Sequence, residues 1–168
     1  MSYYHIYTDG AHSSKTNVGG WGVVVCDNDD HEIMKYGDWE FQTTNNRMEL
    51  TAVLHSLQCM YDRKRFSKDV CGAVIYTDSA YIANCFKDKW YDTWRKNGWK
   101  TSKKTDVLNK DLWEKILTYY EYLDNITIAK VSGHSDNTCN NLADALAVAC
   151  RTEGASFISK GANNENKK

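Results

Sequence analysis

Residues 75–79 read IYTDS and residues 6–10 read IYTDG, so the tetrapeptide Ile-Tyr-Thr-Asp occurs twice in the chain. Ile, Tyr and Thr favour β-strands and Asp is depleted from them, so each copy predicts a strand that ends at an aspartate. Ligand sites in open α/β sheets lie beyond the carboxyl ends of parallel strands. If the two strands are parallel neighbours, Asp9 and Asp78 therefore emerge side by side, each followed by a small residue that leaves space around it.

Hydrophobic patterns around these two copies predict a mixed α/β sheet flanked by helices. Short runs rich in β-branched and aromatic residues predict strands at 3–8, 21–26, 32–39, 73–77 and 126–131. Apolar residues spaced three and four apart, together with a possible cap at Ser79, predict helices at 46–61, 79–86, 112–120 and 142–149. This order predicts five strands, with strands 1–3 in an antiparallel meander and strands 4 and 5 running parallel through helical crossovers.

The length of 168 residues predicts one folded domain, placed at residues 1–153, followed by a polar and flexible tail at 154–168. Six scattered cysteines without a C-x-x-C pair predict reduced thiols, and hence a cytoplasmic or nuclear protein without a disulfide framework or zinc site. The start of the chain does not resemble a signal peptide, and the chain has no apolar run of about 18 residues, so no membrane span is expected.

Carboxylates other than the strand-terminal pair are candidates for the same site. Two carboxylates about 4 Å apart repel by about 4 kcal/mol at an effective dielectric constant near 20, so such a pair shares a proton or binds a cation. Glu49, in the first turn of its helix, and Asp144, near the start of the last helix, can complete an oxygen-rich site that suits Mg²⁺ or Mn²⁺. Each residue alone is more often a turn, a cap or a solvated helix residue, and spacing alone does not establish that the four converge.

The segment 89–104 is strongly basic, with six Lys or Arg residues against one Asp, although the whole chain has a net charge of −1. Aromatic residues at 90, 91, 94 and 99 are interleaved with these charges. Such a mixture suits a groove that follows a nucleic-acid backbone. The alternative is that the tryptophans belong to the core and the lysines form a solvated face, and the pattern does not separate the two.

Four motifs together resemble type 1 ribonuclease H over about residues 3–152. They are YTDGA at 7–11, TTNNRMEL at 43–50, YTDS at 76–79 and GHSDNTCNNLAD at 133–144. The resemblance implies the RNase H-like fold, a five-stranded mixed sheet flanked by helices. It also implies a monomeric endonuclease that binds RNA/DNA hybrid duplexes and cuts their RNA strand with two Mg²⁺ ions, for which Mn²⁺ can substitute. The implied products carry 5′-phosphate and 3′-hydroxyl ends.

The same resemblance implies a role for each catalytic residue. Asp9 would bridge both metal ions, and Glu49 and Asp78 would help to hold the ion at the leaving group. Asp144 would help to hold the ion that activates water. His134, ten residues before Asp144, matches the mobile histidine that the family uses in proton handling or product release; without the motif it would be an ordinary loop histidine.

Substrate contacts are also implied by the resemblance. Asn45 and Asn46 match residues that contact nucleotides in the minor groove, although one of them could instead cap the helix. Thr44 and Asn109 match a pocket for a phosphate of the DNA strand. The basic protrusion around WRKNGWKTSKK at 94–104 contributes the remaining expected contacts, which are Trp90, Trp94, Lys96, Trp99, Lys100 and Lys103.

Three positions depart from the pattern of many relatives, and all three concern substrate contacts and not the carboxylates. Lys15 stands where an asparagine is common, Ala80 where a glutamine is common, and Gln42 where a basic residue is common. Lys15 could supply a phosphate contact instead.

Three other functions differ from that of a hybrid nuclease in the sequence features that they require. A DNA-acting nuclease of the same fold would lack the asparagine pair and the basic protrusion, and a non-catalytic hybrid-binding module would lack a carboxylate. A phosphotransferase would need a glycine-rich loop after the first strand, where the glycines are here too widely spaced.

Overall fold

The computed structural model describes residues 1–131 and 136–165 of the chain. The strands are β1 (Ser2–Ser13), β2 (Val18–Cys26), β3 (Glu32–Phe41), β4 (Val70–Thr77) and β5 (Ile126–Lys130). The helices are α1 (Asn45–Phe66), α2 (Ala80–Lys87), α3 (Trp90–Lys96), α4 (Lys110–Tyr122) and α5 (Thr138–Glu165). All five predicted strands are present, but the prediction that the first one ends at Asp9 is wrong. Strand β1 continues to Ser13, because it stays paired with β2 beyond the point at which its pairing with β4 stops. Helix α3 was not predicted, because its seven residues lie inside the basic segment and are too few to show a clear apolar period.

The sheet has the predicted mixed topology, with strand order β3-β2-β1-β4-β5. Strands β1, β2 and β3 pair antiparallel, whereas β4 lies parallel to both β1 and β5. Ile6 pairs with Ile75 and Tyr7 pairs with Tyr76, so the two Ile-Tyr-Thr-Asp copies lie beside each other in register. The aspartates that follow them therefore lie side by side where the pairing of β1 with β4 stops, Asp9 still within β1 and Asp78 just after β4.

Helices cover both faces of the sheet, and the two-residue alternation of the strands divides the core between them. Ile6 and Val23 belong to the larger core, which includes the buried face of α1 and the fully buried Trp113 of α4. Tyr7 and Val24 point the other way, into a smaller cluster that includes residues from the first turns of α5. The chain thus holds α1 and α5 on opposite sides of β1, the strand that carries Asp9.

Helix α5 extends beyond the domain boundary that the sequence suggested at residue 153, because it continues to Glu165. Gly154 is buried against β3, where an added Cβ would lie 2.5 Å from the Trp39 ring. One turn later, the Phe157 ring lies 5.6 Å from the Trp39 ring, measured between centroids. Residues 154–165 were predicted to be a polar, flexible tail, but the structure makes them part of a helix that contacts the sheet. The boundary itself stays a prediction.

Two of the six cysteines differ from the prediction. The structure joins Cys26, the last residue of β2, to Cys139 in the first turn of α5 by a disulfide, while Cys59, Cys71, Cys85 and Cys150 are free. The expectation of six reduced thiols is therefore wrong for this pair. The two residues are 113 positions apart in the chain, and only the packing of α5 on the sheet brings them together. Among the described residues, no helix combines the length and apolarity needed to cross a membrane.

Candidate active site

Three carboxylates from separate elements converge at the carboxyl end of β4, beside the part of β1 at which its pairing with β4 stops. Asp9 lies in β1, Asp78 follows β4, and Glu49 lies in the second turn of α1, one turn later than predicted because the helix begins at Asn45. One oxygen of each carboxylate lies within 4.8 Å of the others. The fourth candidate, Asp144 of α5, is exposed and lies outside this group of three, but it is close enough to Asp9 to raise the pKa of that carboxyl.

The small residues after the two aspartates explain how the carboxylates approach one another. A Cβ at Gly10 would lie 2.5 Å from the backbone nitrogen of Glu49, so only glycine allows α1 to pack this closely on β1. The Gly10 N–H donates to Asp9 Oδ1 at 2.8 Å and fixes that carboxylate. Ser79 caps α2, as predicted, by accepting a hydrogen bond from the Ile82 N–H at 3.2 Å, and its side chain also lowers the pKa of Glu49.

The crowded carboxylates hold protons more tightly than isolated ones. Burial and the neighbouring charge of Asp78 raise the pKa of Asp9 to about 8, and Asp144 adds to this effect. Burial and Asp78 likewise raise the pKa of Glu49 to about 7, against hydrogen bonds from Ser79 and Asn45 that lower it. Without a cation, at least part of this cluster is therefore protonated near neutral pH.

The donor set of the cluster fits a hard divalent cation. All of the converging groups are carboxylates, and no Cys or His joins the group of three among the residues that the structure describes. Oxygen donors of this kind suit Mg²⁺ or Mn²⁺ and not a soft ion. A second acidic group, at Asp27, Asp29 and His31, belongs to the β2–β3 loop, where Asp27 Oδ1 accepts the N–H groups of the other two at 2.9 Å. Its geometry is that of a turn.

A pH-dependent stability follows from the raised pKa values. In the unfolded chain these carboxyls lose their protons near pH 4, whereas in the folded, metal-free protein Asp9 and Glu49 keep theirs up to about pH 8 and 7. The folded state then binds more protons, so the free energy of unfolding falls as pH rises from about 4 to 8. We expect Asp9→Asn to raise the free energy of unfolding at pH 8 by on the order of 1–3 kcal/mol, and to change it little at pH 4.5.

Urea unfolding in chelator at the two pH values measures this difference. Asp88→Asn is the matched control, because Asp88 is exposed at the C-terminal end of α2, whereas the carboxylate cluster lies near the N-terminal end of that helix. An equal change in stability at both pH values for Asp9→Asn would contradict the electrostatic explanation.

His134 lies outside the described residues, so its predicted role remains a prediction. The asparagine pair is described, and neither asparagine is the helix cap. Thr44 is the N-cap of α1, since its side chain accepts the Arg47 N–H at 3.2 Å. Asn45 and Asn46 occupy the first turn, and Asn45 Nδ2 donates to Glu49 Oε1 at 3.3 Å. Asn45 is thus placed directly beside the Glu49 carboxylate.

The residues of the basic protrusion fit both interpretations that the sequence left open: a tryptophan belongs to the core, and the lysines are exposed. Trp94 is only 7% exposed and packs on Trp113 with ring centroids 5.5 Å apart, which favours a core role over a substrate contact. Trp90 and Trp99 are half-buried at the edge of this core. Lys96, Lys100 and Lys103 are exposed, but Lys100 forms an ion pair with Asp106. Lys96 and Lys103 form no ion pair with any residue that the structure describes.

The two residues of the expected phosphate pocket are joined by a third that the sequence analysis did not select. Arg47 follows the Thr44 cap by three residues, and its guanidinium contacts Asn109 at the start of α4. Its place inside TTNNRMEL was the available signal, but its partners lie more than 60 positions away. Of the three departures, Lys15 is exposed in the β1–β2 turn and Ala80 begins α2. Gln42 adopts a left-handed backbone with φ of 54°.

Comparison with known proteins places this geometry in a family. The chain matches the family model described as RNase H over residues 1–151. It is 41% identical over 142 residues to a ribonuclease H of Caldicellulosiruptor saccharolyticus, covering 84% of this chain and 91% of the relative. It is 42% identical over 148 residues to a ribonuclease H of Acetivibrio thermocellus, covering 88% and 93%.

Solved structures show the same fold at lower identity. The RNase H1 of Halobacterium salinarum aligns with a TM-score of 0.63 and 22% identity, over 90% of this chain and 98% of that one. LC11-RNase H1, solved in complex with an RNA/DNA hybrid, aligns with a TM-score of 0.68 and 19% identity over the same shares. These two likenesses establish the fold, and the closer sequence relatives establish the family.

Proposed function

The chain belongs to the RNase H family of enzymes, and from this premise we propose that it hydrolyses the RNA strand of RNA/DNA hybrids by a two-metal mechanism. The observation that carries the proposal is the convergence of Asp9, Glu49 and Asp78, with Asp144 close enough to raise the pKa of Asp9. A module that only binds hybrids has no need for such a cluster, because its mutual repulsion is unfavourable.

The four carboxylates would hold two Mg²⁺ ions at this edge of the sheet. Bound there, such ions supply a water nucleophile at neutral pH and stabilise the charge on the departing 3′-oxygen, leaving 5′-phosphate and 3′-hydroxyl ends. Asp9, whose carboxylate the Gly10 N–H fixes, would serve both ions. Asp78 and Glu49 would help to hold the ion that stabilises the leaving group, and Asp144 would help to hold the ion that activates water.

Recognition of the RNA strand would come from the start of α1. The wide minor groove of an RNA-containing duplex presents 2′-hydroxyl groups, which DNA lacks. Asn45 and Asn46 carry both donors and acceptors, so they can bind a 2′-hydroxyl group. The hydrogen bond between Asn45 and Glu49 couples this groove contact to the carboxylate cluster. A strand without 2′-hydroxyls would lose this contact beside the cluster.

Choice of substrate tests the proposal most directly. End-labelled RNA/DNA, RNA/RNA and DNA/DNA duplexes of one sequence are incubated with the protein in Mg²⁺ or in chelator. We expect endonucleolytic cuts in the RNA strand of the hybrid in Mg²⁺ and no cuts in chelator, because the carboxylates alone supply no activated water. Mapping the ends of the fragments tests the predicted 5′-phosphates. Cleavage of the DNA/DNA duplex, or hybrid cleavage that persists in chelator, would refute the proposal.

A further inference from the structure

Arg47 connects the N-termini of two helices through its guanidinium group. Its Nη1 donates to Asn109 Oδ1 at 3.1 Å and to Asp111 Oδ1 at 3.0 Å, and its Nη2 donates to Asp111 Oδ2 at 3.0 Å. The pairing with Asp111 is a two-pronged guanidinium–carboxylate contact, which fixes the plane of the guanidinium. Arg47 lies in the first turn of α1, and Asn109 and Asp111 flank the start of α4.

This contact determines which way the Asn109 carboxamide faces. Its Oδ1 accepts from Arg47, and a reversed amide would direct Nδ2 hydrogens at the guanidinium hydrogens. The Nδ2 group is therefore held on the side away from Arg47. It donates to no partner within residues 1–131 and 136–165, so both of its hydrogens are available to a ligand.

The Asn109 side chain is also not used to cap its own helix. Asn109 has φ of 60° and ψ of 31°, and its side chain makes no capping hydrogen bond to α4. Nearby, the Thr44 hydroxyl oxygen accepts the Arg47 N–H, which leaves the hydroxyl hydrogen as a donor. Two neutral donors thus lie at the N-terminal ends of helices of 22 and 13 residues, where the helix dipoles favour an anion.

We propose that Arg47 is a positioning residue for the expected phosphate pocket of Thr44 and Asn109. It acts through Asn109 and does not contact the phosphate itself. Its charge is already balanced by Asp111, and its hydrogen bonds are directed at that carboxylate and at Asn109. This inference rests on the proposed function and on the expectation, implied by the family resemblance, that Thr44 and Asn109 hold a phosphate of the DNA strand. Arg47 would then determine how tightly the DNA strand is held and not how fast the RNA strand is cut.

The first test separates binding from chemistry. Lysine keeps the charge of Arg47, but it lacks the planar guanidinium that donates to Asp111 and Asn109 at the same time. The amide of Asn109 would therefore become free to rotate. We expect Arg47→Lys to raise KM for the hybrid about three- to tenfold, with kcat within about twofold of wild type. Lys64→Gln is the matched control, because it breaks the Lys64–Asp124 ion pair at the far end of the same helix and should leave KM unchanged.

The second test is a double-mutant cycle between Arg47 and Asn109, read as hybrid affinity in Ca²⁺ or another non-cleaving condition. Glycine is the correct deletion at position 109, because alanine would be strained at a φ of 60°. We expect Asn109→Gly to weaken binding about tenfold, and Arg47→Lys to change affinity by less than about twofold in that background. Additive losses would overturn the proposal, since Arg47 would then act independently of Asn109.

The third test asks whether Arg47 meets the phosphate directly. Removing the ion pair as a unit with Arg47→Met and Asp111→Leu should weaken binding as Asn109→Gly does, without changing the salt dependence. A decrease of the salt slope by about 0.9 would show a direct phosphate contact and overturn the proposal. If wild type neither binds nor cuts the hybrid, the proposed function itself fails. If wild type cuts normally and Arg47→Lys has the wild-type KM, only the positioning role fails.

Discussion

Replacement of Asp78 by asparagine is expected to lower the rate of hybrid cleavage by at least about a thousandfold while leaving the protein folded. Asp78 lies within 4.8 Å of both Asp9 and Glu49, so its charge contributes to the centre of the proposed metal site. Asparagine has nearly the same shape but one neutral oxygen donor, and a neutral amide is a poor substitute for a carboxylate toward Mg²⁺. A loss of several kcal/mol of transition-state stabilisation corresponds to this factor, since 1.36 kcal/mol is tenfold.

Single-turnover cleavage of a labelled hybrid, with enzyme in excess and over a range of Mg²⁺ concentrations, measures this effect. Asp88→Asn makes the same chemical change at the other end of α2 and should cut at the wild-type rate. Asp78→Asn should also unfold at a urea concentration no lower than wild type, because it removes repulsion from Asp9 and Glu49. Hybrid cleavage by Asp78→Asn at the wild-type rate would remove the carboxylate cluster from the mechanism.

Neutralising the exposed lysines of the protrusion is expected to weaken hybrid binding in a salt-dependent way. Each phosphate contact that is lost should reduce the slope of log affinity against log salt by about 0.9, and the three lysines could together account for up to about 2.7. The structure narrows this expectation, because Lys100 is paired with Asp106 whereas Lys96 and Lys103 are not paired with any described residue. Lys96→Gln with Lys103→Gln should therefore produce most of the change, about 1.8 in slope and roughly 50-fold in affinity near 0.1 M salt.

Affinity titrations of a labelled hybrid at several salt concentrations measure the slope. Adding Lys100→Gln to the double variant should change the slope little, because in the wild type Lys100 is already paired with Asp106. Lys64→Gln with Lys160→Gln removes the same charge from the end of α1 opposite Glu49 and from the last turns of α5, and serves as the control. A wild-type slope in the Lys96 and Lys103 variant would show that the protrusion lies outside the path of the substrate.

The repeated Ile-Tyr-Thr-Asp motif was sufficient to predict the centre of the candidate site. Strand propensity and the aspartate that follows each Ile-Tyr-Thr run are local properties, and parallel neighbours in register place Asp9 and Asp78 side by side. The small residue after Asp9 indicated space around that carboxylate, but only the structure showed that α1, which carries Glu49, occupies it. The family resemblance added the role of Asp144 and the hybrid substrate, which local pattern could not supply.

The sequence by itself therefore determined the five strands, four of the five helices, the mixed sheet and the pairing of Asp9 with Asp78, because these depend on periodicity and on short-range backbone preference. Only the tertiary structure decided that Trp94 is core, that α5 continues over Trp39, that Cys26 meets Cys139 and that Arg47 holds Asn109. Three of these results are contacts between residues far apart in the chain. The burial of Trp94 depends on its packing against Trp113 of α4. Such contacts are selected by how whole elements pack, and no local pattern of residue types encodes the partner.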